Sequence, residues 1–306
     1  MENCILCNKN NFSTIFKAKS PDFDETFKIE KCLNCGLIRS EPQSDLSKYY
    51  VKSNYFAKEN SPFNIIKKSL ANLLKISPIE KFKSHGKILD VGCGDGQFLS
   101  YLNKNKWDLY GIEPYGYSKT SNNEIKITKG TFEKTNLQNN FFDLITFWHV
   151  LEHVDNPILV LKESKRILKE DGLLFISIPN SKSLGFKIFK NKWFGLYPPI
   201  HIHHFNIETI NQVLEKSGFK IIHIQKFTWE YAPFVLLQSV LNNLGFIPIN
   251  YFYKMLRGNN NNLIFNIINI LFAVLSTPIV IILLALEMID DNGSEVINIY
   301  AKHSES

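Results

Sequence analysis

Between Lys87 and Leu99 the chain reads KILDVGCGDGQFL, an apolar strand running into a glycine-rich turn and then into a helix. Ile88, Leu89 and Val91 are the aliphatic neighbours that a strand buried on both faces of a parallel sheet requires. Gly92, Gly94 and Gly96, with Cys93 between the first two, let the backbone turn sharply and approach a ligand with no Cβ in the way. Phe98, Leu99 and Leu102 form one apolar helix stripe, so N–H groups at the helix start point toward whatever lies over the strand's carboxyl end. A dinucleotide turn would place its last glycine at position 97, which is Gln97, and Asp90 would repel a pyrophosphate. The stretch therefore favours a cationic ligand that carries an amino acid.

Glu113 closes a second strand, Leu109 to Glu113, where an acidic side chain can accept from both hydroxyls of a ribose. Together these residues resemble the class I S-adenosylmethionine-dependent methyltransferases, over about Lys87 to Lys226 with a last strand near the C-terminus. The resemblance implies an α/β, Rossmann-like seven-stranded sheet. In that family the turn at Asp90, Gly92, Cys93, Gly94 and Gly96 lies along the methionine and ribose of the cofactor, and Glu113 holds the ribose. Ile125 to Lys129 reads as the third strand, and the turn at Gly130, Thr131 and Phe132 is placed to approach the adenine. Thr131 and Phe132 stand where many relatives carry an acid.

Phe141 to Phe147 is the fourth strand, with Asp143 in an F-D-x-I pattern, and it runs into Trp148-His149-Val150-Leu151-Glu152-His153-Val154-Asp155-Asn156-Pro157. The H-x-x-E-H string there is refused as a protease site, because it leaves a buried strand and does not lie within a helix. It is similar to the L-E-H-x-x-D-P signature of small-molecule methyltransferases, including ubiquinone-type O-methyltransferases, with Asn156 in place of the acid. His149 suits a general base or a cofactor contact, since an imidazole takes a hydroxyl proton at neutral pH. Capping by Glu152 and His153, and a divalent-ion site from His149, Glu152 and His153, are the competing readings.

Leu173 to Ile178 is the fifth strand, ended by Pro179-Asn180, and the aromatic and basic stretch Ser181 to Pro199 is the candidate for a lid over the acceptor. His201-Ile202-His203-His204-Phe205-Asn206 then precedes a helix, Ile207 to Ser217, with Asn206 as its cap. This string resembles an H-L-x-H-F-S element of a methyltransferase subfamily from polysaccharide and lipid-linked sugar pathways, which assigns His201 and His204 a catalytic or acceptor-positioning role. Hydrogen-bonded packing is the structural reading of the same residues. Gly218 to Phe227 and Glu295 to Lys302 supply the sixth and seventh strands, the seventh slotting between five and six.

Five cysteines occur, and four of them, Cys4-x-x-Cys7 and Cys32-x-x-Cys35, form two knuckles that suit a tetrahedral Zn(2+) ion. Residues 1–40 are thus read as a zinc ribbon with strands at Thr14 to Ala18 and Thr26 to Lys31, its closed metal site serving folding; two disulfides are the alternative. Residues 41–85 are a linker with a covering helix, in which Phe63, Ile66, Leu70, Leu73 and Leu74 recur at helical spacing. Residues 86–230 form the methyltransferase core and 291–306 its last strand and tail. Met1 to Lys9 is polar, so no signal peptide is read there. At 44% hydrophobic and 21% charged residues the chain is globular, and its formal charge of +6 is scattered without the clustering a nucleic-acid groove needs.

Residues 231–290 are unusual. Tyr231 to Tyr253 carries no charge, Lys254 and Arg257 interrupt, and Gly258 to Leu286 again carries none. Each run exceeds the ~20 residues that span a bilayer as a helix. Both flanks belong to one sheet, so the segment is expected to leave and return on the same side as an apolar helical hairpin, with corners at Pro248, at Gly258 to Asn262 and at Pro278. Peripheral membrane contact, packing in a homodimer and extra core are the three placements open to it. The combined reading is a cytoplasmic enzyme, at the cytoplasmic face of the membrane where the hairpin docks, that uses S-adenosyl-L-methionine to O-methylate a small-molecule or lipid-linked sugar acceptor. A ribosomal-RNA base methyltransferase and a non-catalytic membrane scaffold are the alternatives; neither is favoured, since no nucleic-acid partner is indicated.

Overall fold

A computed structural model describes residues 3–43, 46, 49, 72–114, 124–258 and 262–304. Most of the predicted linker helix, from Phe63 to Leu70, lies outside the described residues. Contacts divide the chain into two units, one within Met1–Glu59, Pro179–Thr209 and Gln225–Ile297, the other within Asn60–Ile178, Ile210–Ile224 and Asn298–Ser306.

The second unit holds the expected sheet. Strands β4 (Gly86–Val91), β5 (Trp107–Glu113), β6 (Ile125–Lys129), β7 (Phe142–Trp148), β8 (Leu168–Pro179), β10 (Phe219–Gln225) and β11 (Val296–His303) stand in the order β10-β11-β8-β7-β4-β5-β6. The last strand slots between the two before it in sequence, as expected. β4 pairs in parallel with β5 and β7, so the carboxyl ends of these strands share one edge. Short helices α1 (Ser77–Glu80) and α2 (Gln97–Tyr101) flank β4, α3 (Pro157–Ile167) leads into β8, and α5 (Ile207–Lys216) leads into β10. β8 begins at Leu168, before the expected start at Leu173, because residues 169–172 form an irregularity between the pairings of Phe142 and Leu144.

Two features explain why these residues make this sheet. Asp143, at the start of β7, accepts from the Lys87 N–H at 2.8 Å and from Lys169 Nζ at 3.0 Å, clamping the start of β4 to its neighbour. Burial raises its carboxyl, but the Lys87 N–H and the Lys169 and Lys83 ammonium groups outweigh this and hold it below its ordinary value. An aromatic row then fills the core: Phe98 against Trp148, Trp148 against Phe175 at 4.4 Å between centroids, and Phe175 against Tyr300 at 5.1 Å.

The first unit is built on a four-stranded sheet, β1 (Phe12–Lys19), β2 (Thr26–Cys32), β3 (Ile38–Ser40) and β9 (His203–His204), in that order. Ala18, Ile29 and Ile38 from these strands share one core with Phe189, Trp193 and Leu196 and with Val235, Leu236, Val280 and Leu283. The stretch expected to act as a lid is therefore ordered in part as core: α4 (Leu184–Phe189) and Trp193 are packed, with Trp193 Nε1 donating to the buried Glu295 carboxylate.

The apolar segment departs from the expected hairpin in two ways. Its first uncharged run folds into two short helices, α6 (Ala232–Asn243) and α7 (Tyr251–Leu256), neither long enough to cross a bilayer. The turn between them closes on buried amides: Gln238 Nε2 donates to Asn242 Oδ1 at 2.9 Å, the Asn250 N–H donates to Asn242 Oδ1 at 2.8 Å, and the Tyr253 N–H donates to Gln238 Oε1 at 2.8 Å. The second run is one helix, α8 (Leu263–Ile289), which continues through Pro278 where a corner was expected. Proline forfeits its own N–H within the ladder and its ring crowds the carbonyl one turn back, yet α8 runs across it, with Ala273, Ser276, Val280 and Leu283 buried before and after it.

Truncating the central ring of the aromatic row, Phe175→Ala, is expected to cost ~3–5 kcal/mol. The urea midpoint should fall while the slope of the transition stays unchanged.

Candidate functional site

The turn is held by the strand beside it. The Gly92 and Cys93 N–H groups donate to the Ile112 carbonyl at 2.8 and 3.1 Å, which clips the chain over the end of β5. Gly92 has φ +71°, and a Cβ there would meet Val150 Cγ2 at 2.5 Å, so both backbone and space demand glycine. Gly94, at φ +58°, has nothing within 4 Å of where a Cβ would stand: its outer side is open. Cys93 instead turns inward. Its sulfur packs against Gly111, where a Cβ would lie only 2.5 Å away, and burial pushes its thiol up, so only its backbone belongs to the open face.

Asp90 and Glu113 end adjacent strands, and both are buried. Glu113 Oε2 accepts from the Gly94 N–H at 3.0 Å. Asp90 Oδ1 accepts from Thr146 Oγ1 at 2.7 Å across the β4–β7 pairing. Thr146 was not picked out from the sequence; its signal is that it is the one hydroxyl in the buried run FDLITFW. Burial raises the Asp90 carboxyl to about 7, and Glu113 adds to the rise, while the Thr146 hydroxyl and the Lys75 ammonium oppose it.

His149 follows the end of β7, next to β4. It has φ +53°, a conformation that residues with a Cβ seldom adopt, and its N–H donates to the Ser177 carbonyl at 2.9 Å. His149 Nδ1 lies 3.4 Å from the buried Glu152 Oε1. Strained backbone persists only where its surroundings over-determine it, and such positions cluster at functional sites. The Gly92–Val150 approach places this segment directly against the glycine turn. Phe132, by contrast, packs edge-on against Phe147 at 6.0 Å and is buried, whereas Thr131 beside it is half-buried.

Asp90, the turn, Glu113 and His149 are thus brought together in the second unit. His201 and His204 belong to the first. His204 sits on β9 opposite Ile38, with Nε2 3.2 Å from Ser40 Oγ, and His201 Nδ1 lies 2.8 Å from the Gly195 carbonyl. Asn206 caps α5 as expected, its Oδ1 accepting from the Thr209 N–H at 2.9 Å.

Also in the first unit, the sulfurs of Cys4, Cys7, Cys32 and Cys35 all lie within 4.8 Å of one another, with Cys4–Cys35 and Cys7–Cys32 at 3.5 Å. Asn8 and Gly36, the residues after the two knuckles, both have positive φ, at 57° and 80°. Burial raises the Cys32 thiol, but the Cys35 and Asn34 N–H groups and the Cys7 side chain outweigh it and bring it down to about 7.

A family model described as a methyltransferase domain matches residues 63–224. The ubiquinone biosynthesis O-methyltransferase of Actinobacillus pleuropneumoniae serotype 7 (strain AP76) is 31% identical over 155 residues, covering 45% of this chain and 65% of that protein. The mitochondrial ubiquinone biosynthesis O-methyltransferase of Rattus norvegicus is 28% identical over 184 residues, 53% of each chain. The chain therefore spans just under two thirds of the first relative and about half of the second. A crystal structure of a SAM-dependent methyltransferase from Archaeoglobus fulgidus is similar over 83% of this chain and 99% of that one, at 21% identity and a TM-score of 0.47.

The Asp90 carboxyl generates a pH dependence. Its folded value of about 7 lies above the ~3.9 of an unfolded aspartate, so between the two the folded state holds a proton that the unfolded state has released. Stability of the ligand-free protein should then fall as pH rises through that window, by on the order of 3 kcal/mol. Urea midpoints at pH 5 and pH 8 should differ in the wild type, and the difference should shrink in Asp90→Asn.

Proposed function

Because the chain belongs to the methyltransferase-domain family, we propose that it is an S-adenosyl-L-methionine-dependent methyltransferase that O-methylates a small lipid-linked acceptor, a sugar or ring hydroxyl. One observation carries the reading: Asp90, the open Gly94 backbone, Glu113 and His149 lie along the carboxyl ends of three neighbouring parallel strands. The residues suit the cofactor. The open side of Gly94 is a cradle that a side chain would fill, the buried Asp90 carboxyl answers a positive charge, and Glu113 can accept from ribose hydroxyls. Bound S-adenosylmethionine supplies an activated methyl group on a sulfonium.

The chain's own task is to align an acceptor hydroxyl and to take its proton. His149 is assigned as the base, because it follows the end of β7 and its segment lies against the glycine turn that Asp90 and Glu113 border. The Glu152 carboxylate, 3.4 Å from Nδ1, is placed to orient the ring. The names of the relatives support a lipid-linked acceptor and oxygen as the methylated atom. The four cysteines fit zinc: tetrahedral Zn–S bonds of ~2.3 Å bring sulfurs to about 3.8 Å from one another, close to the spacing present. Zinc there would tie the start of β1 to the end of β2 and serve folding.

Titration calorimetry with S-adenosylmethionine tests the cofactor site. Glu113→Ala should weaken binding by roughly 10- to 100-fold. Wild-type affinity should strengthen with pH up to about 7, by up to roughly tenfold per unit, as Asp90 ionises. No heat with the wild-type protein refutes the enzyme reading. Incubation of labelled cofactor with a lipid extract tests the acceptor, and label recovered only in water-soluble products rejects the lipid-linked class. The purified protein should carry one zinc per chain by elemental analysis; Cys32→Ser should lose the metal and lower the melting temperature.

A further inference from the structure

The polarity of α8 is inverted. Its buried stripe, Asn269, Ala273, Ser276, Val280, Leu283 and Glu287, holds three of the helix's five polar residues, among them its only charged one, and it faces the protein. Asn269 Nδ2 donates to the Phe265 carbonyl at 3.0 Å along the same stripe. The outward side holds Ile264, Ile267, Leu271, Val274, Ile281 and Ile282, all exposed. At 100° per residue the buried stripe occupies about 80° of the circumference, and the exposed apolar arc about 200°. A helix of a water-soluble protein shows the opposite arrangement, with its apolar stripe inward.

We propose that α8 lies along the surface of a lipid bilayer with this arc sunk into the hydrocarbon of one leaflet. Three observations select lipid over a protein partner. The arc runs the length of a helix about 40 Å long, which makes a contiguous apolar patch larger than the ~300–600 Å² typical of a soluble monomer. A second copy would cover a stripe of roughly 100°, leaving half the arc in water. And no charge occurs from Gly258 to Leu286, whereas protein interfaces carry a polar rim. Charge matches as well: the uncharged arc meets uncharged acyl chains.

Phe246, exposed and 5.1 Å from Phe272 between ring centroids, extends the apolar surface beyond the helix. Both ends of α8 return to the first unit, so the contact is one-sided and the helix does not cross. The inference stands apart from the acceptor reading, since neither cofactor nor acceptor enters its test.

Flotation of the full chain with vesicles of phosphatidylcholine and phosphatidylglycerol, 3:1, decides it. The wild type should float, and the double variant Val274→Glu, Ile281→Glu, whose side chains point away from the protein, should partition at least roughly tenfold less with an unchanged circular dichroism spectrum. If that pair unfolds, Val274→Gln with Ile281→Gln should show a weaker loss in the same direction. A wild type that stays at the bottom of the gradient overturns the proposal, as does equal flotation of wild type and variant. A wild type that ignores vesicles, but whose light-scattering mass halves in the variant, assigns the arc to a second copy instead.

Discussion

Burial of the Asp90 carboxyl at the end of β4 is the constraint on which the edge of the sheet depends. A carboxylate in that position lies between two strands, out of water, and its charge opposes that of Glu113 on the next strand. The Thr146 hydroxyl offsets part of the cost, and the remainder shows as a carboxyl poised near neutrality. A cation placed over the glycine turn removes the conflict between the two acids. The turn has the shape that lets this happen: its donors are engaged by Ile112, so it is held in place, and Gly94 leaves the space above it clear. His149, pinned by the Ser177 carbonyl and set beside Glu152, extends the same edge by one strand.

The two units solve burial in opposite ways. In the second, apolar side chains from parallel strands and flanking helices fill the interior, and the aromatic row from Phe98 to Tyr300 runs through it. In the first, the small four-stranded sheet has too little apolar surface of its own. It borrows a core from α6, α8 and the segment around Trp193. The outer face of α8 is then left as the apolar surface for which the protein has no internal use.

Much of this was legible in one dimension. The aliphatic run before Gly92, the glutamate at the end of the second strand and the spacing of later strands follow from local periodicity and turn chemistry, which do not require knowledge of distant neighbours. The paired knuckles were legible for the same reason: Asn8 and Gly36 each follow a C-x-x-C and adopt the left-handed turn that such a position calls for. Less legible were Thr146, whose part depends on its register with Asp90, and Cys93, which sits in the turn but points into the core against Gly111. Pro278 misled: α8 runs across it, with buried residues before and after it, although a proline inside a helix costs a hydrogen bond and crowds the turn behind it.

The sequence by itself determined the sheet, the turn and the acids that border it, since each is written in residues within a few positions of one another. Only the tertiary structure decided what was shared and what was exposed. It joined strands of the N-terminal sheet, the residues around Trp193 and the apolar helices in one core, and it turned Asn269, Ser276 and Glu287 of α8 inward. Periodicity states that a stripe exists; which side of it meets protein is set by the neighbours that the fold supplies.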